Sequence, residues 1–129
     1  MEFIKHYLVV AGIFVAIDAV WLTVVAGKFY KKELGDLLLK KAKLGPAVVF
    51  YVMYVFGMVI FVLNPALGAH SIQYVLGHGA LLGLLMYATY DLTNLSTLKN
   101  WSSKVTIVDL IWGTSVTALT TTLAFLIFN

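Results

Sequence analysis

The chain has no cysteine and no arginine, and only 12% of its 129 residues are charged. Without cysteine there is neither a disulfide nor a thiolate metal site. Without arginine there is no planar, fork-shaped cation for gripping a phosphate. Soluble domains carry roughly a quarter charged residues, so this fraction points away from that class. The net charge of +3 is small and segregated along the chain, which excludes nucleic acid as a partner and suits lysines snorkelling at a lipid surface. Familiar catalytic patterns are missing too. There is no phosphate-cradling glycine loop, no His-Glu-x-x-His and no Ser-His-Asp arrangement.

What the chain does have is apolar length. Hydrophobic residues make up 61% of it, and its mean hydropathy is +0.94. Four apolar stretches, at about 3–26, 47–63, 72–95 and 105–128, are each long enough or nearly so for a bilayer, which needs ~20 helical residues. They lack the two-residue alternation of barrel strands, so helices are the spanning structure that satisfies their backbone in lipid. The expected fold is an all-α integral membrane protein, a single four-transmembrane-helix domain over 1–129. The first stretch contains Asp18 and Trp21 and is followed, not preceded, by lysines, and it reads as a retained membrane helix. Gly45-Pro46 marks the start of the second helix and Asn64-Pro65 its expected end.

Lysine sets the expected orientation. Lys28, Lys31, Lys32, Lys40, Lys41 and Lys43 flank or occupy the first connection, Lys99 and Lys104 the third, and only Lys5 lies elsewhere. The positive-inside rule then places the first and third connections in the cytoplasm and both termini outside, in a bacterial inner membrane. Over 29–43, Tyr30, Leu34, Leu37, Leu38 and Lys41 share a helical stripe, which predicts a short amphipathic helix in the cytoplasmic headgroup layer, weakened by Gly35.

Six acids are present, and three of them, Asp18, Asp91 and Asp109, fall within apolar helices. A carboxylate there costs about 2.5–3.5 kcal/mol even on the lenient insertion scale, so each should face the bundle interior. Depth places all three in one leaflet: Asp18 ~12 Å from the cytoplasmic end of its helix, the other two ~6 Å from theirs. Gly79, Gly83, Tyr87 and Asp91 descend helix three at four-residue spacing, with Asn94 following. Asp109, Gly113, Val116 and Thr120 share a face of helix four, and Ala11, Asp18, Leu22 and Val25 one of helix one. The glycines read as a close-packing seam, and the acids as one interior polar pocket ringed by Tyr87, Asn94, Trp21 and Trp112. An echo joins the outer helices: Ile17-Asp18-Ala19-Val20-Trp21-Leu22-Thr23 resembles Val108-Asp109-Leu110-Ile111-Trp112-Gly113-Thr114. His78, in the half of helix three away from the acids, reads as a helix-to-helix hydrogen bonder, and His6 and His70 as interfacial. Of the aromatics Phe50, Tyr51, Tyr54, Phe56 and Phe61, packing is the expected role, with Tyr54 the one placed to line a pocket.

Several blocks carry a resemblance: Ile17-Asp18-x-x-Trp21-Leu22, Phe29-Tyr30, Phe50-Tyr51, Pro65-Ala66-Leu67, Tyr87-Ala88-Thr89-Tyr90-Asp91-Leu92-Thr93-Asn94, and Asp109-x-x-Trp112-Gly113. Over nearly its whole length the chain resembles the predicted bacterial membrane proteins of domain of unknown function 2177, with Ser96 and Ser102 where alanine and proline are usual. The resemblance implies a short four-helix inner-membrane protein and brings no activity, substrate or catalytic residue with it.

Three functions fit these residues. The first is a unit that binds or transports a small hydrophobic or cationic solute, a cation or protons through the aspartates, as a homo-oligomer in the bilayer if it forms a pathway. The second is an accessory subunit with a structural polar network. The third, ranked last for want of a nucleophile–base pair, is an enzyme acting on lipid or isoprenoid in the cytoplasmic leaflet. Three carboxylates with Asn94 could hold Mg²⁺, but the sequence fixes neither a metal nor a cofactor.

Overall fold

The computed structural model describes residues 2–39, 41 and 43–129. Four helices, each long and apolar enough to cross a membrane, carry the fold: α1 (Glu2–Leu37), α2 (Leu44–Ala69), α3 (Ile72–Thr97) and α4 (Ser103–Phe128). No strand occurs among the described residues. The protein is an all-α, four-helix chain, as its apolar runs predict.

Serines begin the last two helices. Ser71 Oγ accepts from Tyr74 N–H and Ser102 Oγ from Val105 N–H, satisfying backbone donors that the first turn leaves free. The connections between helices are short, so neighbours run antiparallel. His6 Nδ1 lies 2.7 Å from Asn64 Oδ1, and His70 Nδ1 lies 2.8 Å from Asn129 Oδ1. Both termini and the second connection therefore share one end of the bundle. At the other end Ser102 Oγ donates to Glu33 Oε1, joining the end of α1 to the start of α4.

The tightest seam is between α3 and α4. Gly79, Gly83 and Gly113 are buried in it. A methyl group on Gly83 would overlap the Gly113 carbonyl and come within 2.6 Å of Thr117 Oγ1; one on Gly79 would come within 2.6 Å of Thr121 Oγ1. One on Gly113 would overlap the Tyr87 ring. Small residues here let two backbones touch, which is how helices adhere in a solvent as apolar as their own side chains. The remaining core joins α1, α2 and α4 through Val10, Phe14, Tyr54, Met58, Val59, Val62, Leu63, Val116 and Phe125.

Two helices depart from their expected extents. The second does not end at Asn64-Pro65 but continues to Ala69 and closes with His70 in the left-handed region at φ 51°. Proline has no N–H to give to the carbonyl four residues back. The helix absorbs this with a wide π turn at Val59–Leu63, in which Asn64 N–H reaches the Val59 carbonyl. The Phe61 carbonyl faces the Tyr74 hydroxyl at 3.4 Å. The helical segment expected over 29–43 is continuous with α1: a second π turn at Trp21–Ala26 leads directly into Gly27–Leu34. The regular winding ends at Gly35, whose φ of 50° with ψ of −116° only glycine adopts readily. Lys40, part of the expected stripe's polar flank, lies outside the described residues.

The π turn at Trp21–Ala26 also corrects the expected face of α1. Val10, Phe14 and Asp18 are buried and Leu22 lines a cavity together with Asp18, but Val25 is exposed and does not line it. A π turn inserts one residue, and each residue of a helix advances its face by about 100°. Residues beyond Leu22 are thus out of phase with a regular pattern drawn from Ala11.

Candidate functional site

Level with the first and third connections the helices splay around a cavity of about 780 Å³. Its wall draws on every helix: Asp18, Trp21, Leu22, Tyr30, Leu34 and Leu38 from α1 and its end, Phe50 and Tyr51 from α2, Met86, Tyr87, Thr89 and Tyr90 from α3, and Val105, Asp109 and Trp112 from α4, with Trp101 at the rim. All three tryptophans of the chain are in it. It carries two acids and, among the described residues, no lysine or histidine.

Each acid is held by a tyrosine from a different helix. The Tyr51 hydroxyl of α2 donates to Asp18 Oδ2, and the Tyr30 hydroxyl donates to Asp109 Oδ1. Each acid is followed three residues later by a tryptophan, and these two indoles, Trp21 and Trp112, stack with centroids 4.3 Å apart and planes 8° from parallel. The echo between α1 and α4 is thus a physical pairing: two antiparallel helices place the same Asp-x-x-Trp unit against each other. Neither tryptophan is bonded to an aspartate. Trp112 Nε1 is buried and has no acceptor among the described residues.

Asp91 lies outside the cavity wall, fully buried on α3. It stands opposite Asp109 across the α3–α4 seam, one turn beyond the contact of Tyr87 with Gly113. No hydroxyl, amide or backbone N–H among the described residues donates to either of its oxygens. The expected ring of residues is therefore divided. Asp18, Asp109, Tyr87, Trp21 and Trp112 share the cavity, Asp91 backs onto Asp109, and Asn94 is a half-buried residue beyond the cavity. No three acids or histidines among the described residues are grouped closely enough to hold a metal ion, so the three aspartates with Asn94 do not make a Mg²⁺ ligand set.

Other assignments shift as well. Tyr54 is wholly buried, bonded to Thr117 Oγ1 and packed edge-on against Phe14 at 4.9 Å, and it belongs to the core. His78 faces outward, stacks on Tyr74 and contacts that residue's own carbonyl at 3.1 Å, bridging no second helix. Phe56 and Phe61 are exposed on the bundle's outer surface. Sequence reasoning overlooked Tyr30 and Tyr51 as partners of the acids. A signal was there: a buried carboxylate needs a donor, and each tyrosine lies within two turns of the connection-proximal end of its segment.

Four apolar helices around an acid-bearing, aromatic cavity define a small polytopic membrane protein with an internal polar site. The family model described as "Predicted membrane protein (DUF2177)" matches residues 3–126, and the chain belongs to this family. No curated protein and no solved structure shows significant similarity to it.

Proposed function

We propose that the protein binds a small lipophilic cation in this cavity, taking it up from the bilayer. The carrying observation is the wall's chemistry: two carboxyls, no basic side chain among the described residues, and aromatic faces from Trp21, Trp112, Tyr51, Tyr87 and Phe50. Aromatic rings attract cations through their quadrupoles, more strongly where water is displaced. A volume of about 780 Å³ falls in the range of drug-sized ligand pockets, about 300–1,000 Å³. Leu22, Leu38 and Phe50 are exposed at its margin, which suits a ligand already dissolved in lipid.

Lysine placement supports a cytoplasmic opening, with both termini outside a bacterial inner membrane. In the transport form of this reading the cavity is one half of a route, and a second copy supplies the rest. Crosslinking in native membranes should then yield a dimer, and finding only monomer would rule that form out.

Because every tryptophan lines the cavity, tryptophan fluorescence responds to its occupancy. Benzyltriethylammonium, added to protein in nanodiscs, should change that fluorescence saturably, while (2,2-diethylbutyl)benzene, its neutral carbon isostere, should not. Equal responses to both, or no saturable response to the cation, would overturn the reading.

A further inference from the structure

We propose that Asp91 and Asp109 form a proton-binding site, holding one proton between their carboxyl groups and exchanging it with the cavity through Asp109. Two observations converge on it. The first is the arrangement of the acids: in the antiparallel glycine seam Tyr87 of α3 packs on Gly113 of α4, and one turn further along each helix Asp91 and Asp109 stand opposite each other, both buried. The second is that Asp91 is fully buried, aimed into this contact, and without a protein donor on either oxygen among the described residues. Two ionised carboxyls so placed repel each other, and a buried one has also lost its hydration. A proton between them removes both costs, giving one hydrogen bond and a single shared negative charge.

A proton fits this place better than a metal ion. Hard divalent cations take six or more oxygen ligands, whereas the pair offers two carboxyls, with the adjacent Tyr30 hydroxyl already donating to Asp109. The ionisable groups around the pair are Tyr30 from α1 and Tyr90 from α3, with Asp18 and Tyr51 on the cavity wall. No lysine or histidine lines that cavity among the described residues. The two acids differ in access. Asp91 is sealed, while Asp109 lines the cavity and retains slight exposure, so a proton enters and leaves by way of Asp109. Resting on the binding reading above, a cation seated against Asp109 favours its ionised form, and by linkage the proton and the cation weaken each other's binding.

Infrared spectroscopy of the protein in nanodiscs tests this. At neutral pH, with the cavity empty, the wild-type spectrum should contain the carbonyl stretch of a protonated carboxylic acid, and that band should shift in D₂O. Asp91→Asn should remove it, because its amide donates to Asp109 and, with Tyr30, holds that carboxylate ionised. Asp109→Asn, which leaves Asp91 buried without a counter-charge, should keep a protonated band that exchanges more slowly with D₂O. Benzyltriethylammonium should weaken the wild-type band. Absence of the band in the wild type, which needs no variant to observe, would overturn the proton site. Its persistence at full strength in Asp91→Asn would do the same. If the probe binds and leaves the band unchanged, exchange with the cavity is refuted. If the probe does not bind, the cation reading fails, and the band with its response to Asp91→Asn still decides whether the proton is there.

Discussion

The two ends of this bundle are built differently from the same four helices. At the end shared by the termini, Val62, Leu63, Ala66, Val75, Ala124 and Phe125 pack without exposure or nearly so. Its polar groups pair between helices too, His6 with Asn64 and His70 with Asn129, but across closed packing with no cavity between them. At the other end the helices stand around about 780 Å³ of space, and the polar groups reach across it in pairs from different helices. Stability comes chiefly from the first arrangement and from the glycine seam, which leaves the second free to hold acids that are costly in lipid. A membrane bundle can separate framework from site along its own axis.

That division can be broken by experiment, and the largest effect expected is all-or-none. Since the chain lacks cysteine, single cysteines at Ser71 and Ser103 mark the two ends cleanly. Ser71→Cys should label in whole cells, and Ser103→Cys only after permeabilisation. The reverse pattern would turn the cavity toward the outside and end the argument from lysine placement. Next, Gly83→Leu should destabilise by about 3 kcal/mol or more, since overpacking a close contact falls at the top of the usual range, and the loss should appear as a lower unfolding midpoint in detergent. An unchanged midpoint would mean that α3 and α4 do not meet as closely as described.

Smaller effects sharpen the contrast. Tyr54→Phe removes a buried interhelical hydrogen bond and should cost about 0.6–1.7 kcal/mol, as such bonds do in membranes. His6→Ala, at the interface, should cost about 0.5 kcal/mol and leave the tryptophan response to benzyltriethylammonium intact. The smallest change in stability is expected for Asp18→Asn, within about 0.5 kcal/mol, because the amide oxygen still accepts from Tyr51. Cation affinity should nevertheless fall about tenfold, equivalent to about 1.4 kcal/mol. A variant at the packed end that abolished cation binding while folding normally would erase the distinction between the two ends.

Much of the framework could be read from residue order. The four apolar runs specified four helices, and the four-residue spacing of Gly79, Gly83, Tyr87 and Asp91 marked the side of α3 that another helix approaches closely; the structure makes that helix α4. Asp109, Gly113, Val116 and Thr120 did the same for α4, all four being buried. The site was harder to read, for identifiable reasons. Asp18 and Asp109 were visible because a carboxyl in an apolar run has few stable places to go. Tyr30 and Tyr51 were not, because a tyrosine near a membrane boundary satisfies itself equally well at the interface, and its hydroxyl leaves no periodic trace. Val25 was misplaced because a regular 3.6-residue period was carried across Trp21–Ala26. Pro65 misled for a related reason: the signal that usually ends a helix was accommodated by a local widening just before it.

The π turn at Trp21–Ala26 in α1 sets the angular phase of everything after it. Gly27 N–H reaches back to the Leu22 carbonyl, one residue further than in a regular turn, so the segment bearing Tyr30, Leu34 and Leu38 is clocked by one surplus residue. Removing a single residue between Trp21 and Ala26 would restore the regular winding, turn that segment by about 100°, and swing Tyr30 away from Asp109 while Asp18 stayed in place. The spare residue works as a key cut into the helix: it carries no chemistry of its own, yet it decides which side chains reach the lock.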